Sequence, residues 1–279
     1  MPVTRHLGAG LTLLVALGAF AGLQVLTPGV LAGQSKERYP AAGGDLEITA
    51  FIHNSLQLEH QGLVVHIDPW SVADLSLAKP ADLILITDDP AHHLDPEAIK
   101  RLRKPGAPVV TPPNGRAKVP DGVVLKNGES SVQAGIKIEA IAAYDLTPGE
   151  PYHPKGESNG YVITLGGKRV FVVGITECVP EVRAVRDVDV AFMPLSLPVG
   201  RMAAPAAVEC TKALKPKVVY PYHYDQDYAT NIARGRAVSS LHPGVEEFVR
   251  GLAGEPVQVK LADWYPTRDA RTPAPPAAR

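Results

Sequence analysis

The stretch from Ala81 to Asp95, ADLILITDDPAHHLD, constrains the fold more than any other. Leu83, Ile84, Leu85 and Ile86 form a short unbroken apolar run, which suits a strand buried on both faces. The run stops at Thr87. Two carboxylates, a proline and two histidines follow at once: Asp88, Asp89, Pro90, His92 and His93. A buried strand ends where it reaches solvent, so this polar cluster is predicted at a sheet edge, where open α/β sheets bind ligands. Asp95 and Pro96 read as the N-cap and first residue of a helix running to about Lys104. The chemistry-bearing residues thus occupy a loop between a rigid strand and a rigid helix, a good platform for metal ligands.

Elsewhere short apolar runs alternate with turn signals. Leu46 to Phe51 reads as a strand. Leu56 to Glu59 and Leu63 to Ile67 read as a hairpin around Gln61-Gly62. Further strands are predicted at Val109-Val110, Val123 to Leu125, Ser131 to Gln133, Ile136 to Ile141, Tyr161 to Leu165 and Val170 to Val173. Val188 to Met193, Val218 to Tyr220 and Val257 to Leu261 complete the set, with helices over Pro205 to Leu214 and Val245 to Leu252. Proline supplies 27 of 279 residues, roughly twice the usual share of about 5%. Many of these prolines fall between apolar runs, which implies ordered loops. Two mixed sheets covered by helices satisfy the pattern.

Residues 1–32 are read as a secretory signal: a positive start at Arg5, an apolar stretch from Leu7 to about Leu26, and Val30-Leu31-Ala32 before the cut. The stretch approaches the ~20 residues of a membrane span, so a retained anchor is the alternative. Gly8, Gly10, Gly18 and Gly22 weaken such a helix and favour the signal. Residues 33–45 are read as a polar linker, 46–266 as the folded domain and 267–279 as a disordered tail. Export implies a periplasmic or secreted protein, or one anchored in the inner membrane if the segment is kept. Outside the cytosol Cys178 and Cys210 either pair or remain two buried small residues; the sequence leaves both open. A net charge of −1 provides no basic field, which argues against a nucleic-acid partner. Oligomeric state is left open.

Several separated motifs resemble the metallo-β-lactamase superfamily, and more narrowly its ascorbate-phosphate-lactonase-like hydrolases. They are His66-Ile67-Asp68-Pro69-Trp70, Ala81 to Thr87, Tyr152-His153-Pro154-Lys155-Gly156, Gly160-Tyr161-Val162, Gly174-Ile175-Thr176-Glu177 and Pro221-Tyr222-His223-Tyr224. The resemblance covers about residues 46 to 265. It implies an α+β fold, a four-layer αββα sandwich, with a one- or two-metal site at the sheet edges and a small-molecule substrate.

The metal motif departs from the family's His-x-His-x-Asp-His, whose positions here hold Asp88, Pro90, His92 and His93. The carboxylate that bridges two family metals is replaced by Ile175, which cannot ligate. The ligand positions His153 and His223 are kept. One family metal therefore retains only Asp88 and His153. The other is left with three nitrogens, from His92, His93 and His223, and three histidines with an open position are a known zinc arrangement. The resemblance thus implies one zinc ion, with Asp88 as general base for an attacking water and an ester, lactone or phosphoester as substrate. The alternative is a pseudo-enzyme of the same fold whose eroded site binds a ligand or protein. His53 is assigned a structural or supporting role, His66 a packed position in a strand, Asp89 a solvated one, and Glu177 a hydrogen bond at a strand end. Tyr220, Tyr222, Tyr224 and Tyr228 are expected to pack the sheet end.

Overall fold

The computed structural model describes residues 1, 36–149, 152–195, 201–225, 243–262 and 264. The segment 2–32 expected to be a signal and the tail 267–279 lie outside the described residues, as does Tyr228. No helix among the described residues is long and apolar enough to cross a membrane.

Among the described residues there are fourteen strands in two sheets of seven, most of them formed by the apolar runs. The first holds β1 (Lys36–Tyr39), β2 (Leu46–Ile52), β3 (Ser55–His60), β4 (Leu63–Ile67), β5 (Leu83–Leu85), β6 (Val109–Thr111) and β7 (Val123–Val124). The second holds β8 (Ser130–Gln133), β9 (Ile136–Ala143), β10 (Ser158–Leu165), β11 (Lys168–Val172), β12 (Val190–Pro194), β13 (Val218–Tyr222) and β14 (Gln258–Val259). In each sheet the strands lie in chain order. The first four are antiparallel and the remaining pairs parallel. One plan is thus used twice. Both sheets feed one hydrophobic core, in which Leu46, Leu58 and Ile67 join Ile138, Phe171 and Phe192.

The short run at β5 is buried on both faces, as its composition predicts. Leu83 and Leu85 enter the main core, while Ile84 and Ile86 pack in a second cluster with Leu94, Ile99, Val109 and Val119. Alternate side chains of a strand point to opposite faces, so an unbroken apolar run needs a cover on each. Helix α1 (Pro96–Leu102) supplies the outer one. Its N-cap Asp95 accepts from the backbone of Glu97 at 2.9 Å and Ala98 at 3.3 Å. The other oxygen accepts from the Ser71 backbone at 2.8 Å, so the cap also pins the loop after β4. Helix α2 (Pro180–Ala184) lies near α3 (Ala204–Leu214), which packs on α4 (Pro243–Gly251). Gly251 is needed there, because a Cβ would stand 2.6 Å from Val208.

Three expectations change. The residues read as a linker contain β1, which pairs with β2 from Lys36↔Thr49 to Tyr39↔Leu46. This edge strand is held by Lys36 and Arg38 on Glu47 and by the Tyr39 hydroxyl on Tyr220. It is polar and so leaves no period-two apolar signal. The proline-rich loop contains a 3-10 turn at Pro113–Ala117, and α2, only five residues long, was not predicted. Both are too short for helical periodicity to register.

Cys178 and Cys210 form a disulfide with a Cα–Cα distance of 5.6 Å, inside the usual range. It joins the segment before α2 to α3, which resolves the choice the sequence left open. The bond closes a sequence separation of 32 residues. Chain-entropy arguments for a loop of that size give about 3–4 kcal/mol. Cys178→Ser combined with Cys210→Ser is therefore expected to lower unfolding stability by about that amount in urea titrations. An unchanged midpoint would show that the cross-link constrains nothing.

His66 lies within β4, fully buried, and its ring stacks on Phe51 with centroids 6.0 Å apart. Nε2 donates to the Lys79 carbonyl at 2.9 Å. Burial pushes its pKa down from 6.5 to about 4. The unfolded chain takes up this proton first as pH falls, so the stabilisation is intact above pH 6.5 and is lost on acidification toward about 4. A loss of about 3 kcal/mol is expected across that interval at roughly 1.4 kcal/mol per unit. His66→Gln should flatten the acid limb in denaturant titrations at successive pH values. An equally steep limb would remove His66 as its source.

Candidate metal centre

The site is built where the ends of the strands meet. The chain leaves β4 at Asp68, which is buried and has a positive φ of 44°. One carboxylate oxygen accepts from the Thr87 backbone at 2.7 Å. The other accepts from Thr87 Oγ1 at 2.5 Å, Asn54 Nδ2 at 3.1 Å and His93 Nδ1 at 2.7 Å. One side chain thereby gathers the end of β4, the residues after β5 and the turn between β2 and β3. With Nδ1 donating to a carboxylate, Nε2 of His93 is the nitrogen left to act as a ligand, the usual arrangement behind metal-bound histidines.

His53, in the β2–β3 turn, and His223, just after β13, come from different sheets. The His53 carbonyl accepts from the His223 backbone at 3.1 Å. Both residues are in the left-handed region, with φ of 57° and 55°. Such conformations are uncommon for side chains branched beyond glycine and concentrate at functional sites. The two rings lie 3.8 Å apart between centroids, and the His92 ring is 5.3 Å from His53 and 5.5 Å from His223. One ring nitrogen from each of His53, His92 and His223 falls within 4.8 Å of the others. The His93 ring lies 4.5 Å from His92 and 5.2 Å from His223. Trp70 closes one side, 6.1 Å from His92.

Burial drives His92 down to about 3, with His93 adding to the shift. Burial also holds His223 well below 6.5, with further contributions from His53, His93 and His92. Neutral imidazoles are the form that binds metal. Nε2 of His223 is buried and meets no hydrogen-bond partner among the described residues. Neutral His92 and His223, the latter with an unsatisfied buried nitrogen, fit a cation.

Asp88 and His153 meet at a different point. The His153 Nε2 lies 3.6 Å from Asp88 Oδ2. Asp88 Oδ1 accepts from Asn114 Nδ2 at 2.6 Å, Ser158 Oγ at 2.7 Å and the Asp89 backbone at 2.9 Å. Burial works to raise the Asp88 pKa. It is outweighed by His93, Ser158, His153 and Asn114, so the group stays below the usual carboxylate value. The backbone and Nδ1 of His153 both lie 3.0 Å from Asp145 Oδ2. That bond raises the His153 pKa against the effect of burial, and Asp88 adds to the rise.

The structure brings the rings of His92, His93 and His223 within 5.5 Å of one another, but the ring nitrogens that converge within 4.8 Å are those of His53, His92 and His223, and Asp88 and His153 pair with each other. His53, assigned a supporting role from sequence, has its ring within ligand reach. Asp68, Asp145, Asn114 and Ser158 were not singled out. Asp145 lies between apolar runs and Ser158 between two quoted motifs but within neither, and only the fold shows what they face. Ile175 is buried, and Glu177 accepts from the backbone of Leu146 and Thr147. The Tyr222 hydroxyl accepts from the Gly174 backbone at 3.0 Å, a packing role.

The family described as the beta-lactamase superfamily domain matches residues 47–223. The chain belongs to the beta-lactamase superfamily. Relatives in the superfamily include a UPF0173 metal-dependent hydrolase of Pyrobaculum neutrophilum, 29% identical over 216 residues, spanning 70% of this chain and 93% of the relative. A solved structure from Parabacteroides distasonis, named for a metal-dependent hydrolase role, is 32% identical with a TM-score of 0.73, covering 83% of this chain and 99% of that one. Igni18 of Ignicoccus hospitalis, described as a metallo hydrolase, shares the fold at 23% identity and a TM-score of 0.60, over 77% of this chain and 94% of that one.

Because His93 is aimed by Asp68, Asp68→Asn is expected to weaken metal binding about 10- to 100-fold. Competition with a chromophoric chelator reads this directly. Unchanged affinity in a folded variant would show that Asp68 acts on the strand ends alone.

Proposed function

We propose that this protein is a mononuclear metal-dependent hydrolase, and that its substrate is a small molecule with an ester, lactone or phosphoester bond. The observation that carries this reading is the convergence of His53, His92 and His223, with one ring nitrogen of each within 4.8 Å of the others. His92 and His223 would hold the cation with His53, while His93, oriented by Asp68, supplies a further nitrogen. The all-nitrogen donor set suits zinc. Such an ion supplies Lewis-acid polarisation of the scissile bond and lowers the pKa of water.

The protein's own groups handle the protons. Asp88, kept ionised by its hydrogen bonds, would accept a proton from the attacking water. His153, held toward its charged form by Asp145, would act beside it as the donor to the leaving oxygen. Because Asp88 and His153 pair with each other and Ile175 offers no bridge, one ion is expected rather than two.

The full chain, purified and reconstituted with zinc, is expected to hold about one equivalent by elemental analysis and to hydrolyse members of an ester and lactone panel. His223→Ala should lose most of the bound metal and at least a hundredfold of activity while the metal-free protein stays folded. A well-folded protein that takes up no metal and is inactive would favour a ligand-binding pseudo-enzyme, the reading to which buried Ile175 lends support.

A further inference from the structure

Glu177 is a buried carboxylate that the proposed chemistry leaves without a task. Its Oε2 accepts from the amides of Leu146 at 2.7 Å and Thr147 at 2.9 Å. Beside it, Thr176 Oγ1 accepts from the Tyr144 amide at 2.9 Å, and the Glu177 amide donates to the Tyr144 carbonyl at 3.1 Å. Thr176 and Glu177 thus grip the backbone on both sides of Asp145. Cys178 follows directly and is bonded to Cys210 on α3, so the grip is anchored to a helix.

Asp145 in turn holds His153. The Asp145 amide donates to the His153 carbonyl at 2.9 Å, and Asp145 Oδ2 lies 3.0 Å from both the backbone nitrogen and Nδ1 of His153. These bonds place the His153 ring, with Nε2 3.6 Å from Asp88 Oδ2. The other oxygen of Asp145, Oδ1, is buried and meets no hydrogen-bond partner among the described residues. The carboxylate therefore has no second anchor to aim it. A side chain this short follows its backbone, and the backbone here is held by Thr176 and Glu177. Burying a charge is costly even when it is hydrogen-bonded. Its use on two loop amides is explained by the residue those amides adjoin.

We infer that Glu177 is a positioning residue: its carboxylate oxygen fixes the backbone on either side of Asp145, so that Asp145 aims His153 at Asp88. The role depends on reach rather than on charge, because a single oxygen takes both amides and an amide oxygen at the same distance would serve. A small misplacement of a proton-handling group is enough to slow a reaction about a hundredfold. The consequence for catalysis rests on the hydrolase reading above, and the test separates the two.

Two variants of the zinc-loaded full chain separate reach from charge. Glu177→Asp keeps the charge and shortens the arm; Glu177→Gln keeps the arm and removes the charge. Amide hydrogen exchange is followed by NMR, and cleavage of 4-nitrophenyl acetate is read separately. In Glu177→Asp the amides of Asp145 and His153 are expected to exchange about tenfold faster, while Val162 in β10 keeps its protection. Its kcat should fall about tenfold or more with KM and bound zinc unchanged, and Glu177→Gln should match the parent in every reading. Unchanged exchange in Glu177→Asp overturns the inference, as does a Glu177→Gln protein that fails equally. Loss of protection at Val162 as well would make Glu177 a support of the whole sheet and overturn its local role. If exchange responds as expected but the parent itself cleaves nothing, the positioning of His153 stands and the hydrolase reading falls. An active parent whose exchange and kcat ignore both substitutions removes the positioning role alone.

Discussion

The candidate centre depends on a single buried carboxylate. Asp68 accepts from a backbone amide, a hydroxyl, a side-chain amide and an imidazole. These donors come from the β2–β3 turn and the loop after β5. Without the carboxylate the Thr87 amide would lose its acceptor in the interior, and a buried unpaired polar group costs about 1–3 kcal/mol. The carboxylate thus fixes where β4, β5 and the β2–β3 turn end relative to one another. His93 is oriented by the same group, so the metal-facing geometry and the closure of the first sheet share one cause.

The second sheet reaches the centre through backbone as well as side chains. The bond from the His223 amide to the His53 carbonyl links the two sheets at the point where both residues adopt left-handed conformations. Asp68 is a third non-glycine residue with positive φ at the same place. Conformations of this kind cost of order 1–3 kcal/mol each. The surrounding core, drawn from both sheets, holds them in place. The turn after β2, the loop after β5 and the end of β13 meet there, so histidines from distant parts of the chain converge.

The departures from the superfamily pattern have a consistent physical result. Loss of the bridging carboxylate at Ile175 and of a ligand at Pro90 leaves Asp88 with one histidine partner, His153. The two balance each other's charge at 3.6 Å, and Asp145 supports the histidine from behind. On the other side, burial keeps His92 and His223 neutral. Under the proposed reading, the first pair handles protons and the histidine cluster holds the cation.

The sequence by itself was sufficient for the strands that carry apolar runs, for the cap at Asp95, and for the loop that delivers Asp88, His92 and His93. Those features are local: periodicity, a capping carboxylate and a proline act within a few residues. It also pointed to His153 and His223, because their flanking motifs survive. It did not show β1, whose polar edge carries no hydrophobic signal, or the pairing of Cys178 with Cys210. Only the tertiary structure placed the His53 ring against His223, the Asp68 carboxylate under His93, and Asp145 behind His153. Those relations depend on which strand ends become neighbours. That is decided by how two sheets pack on one core, and no spacing along the chain encodes it.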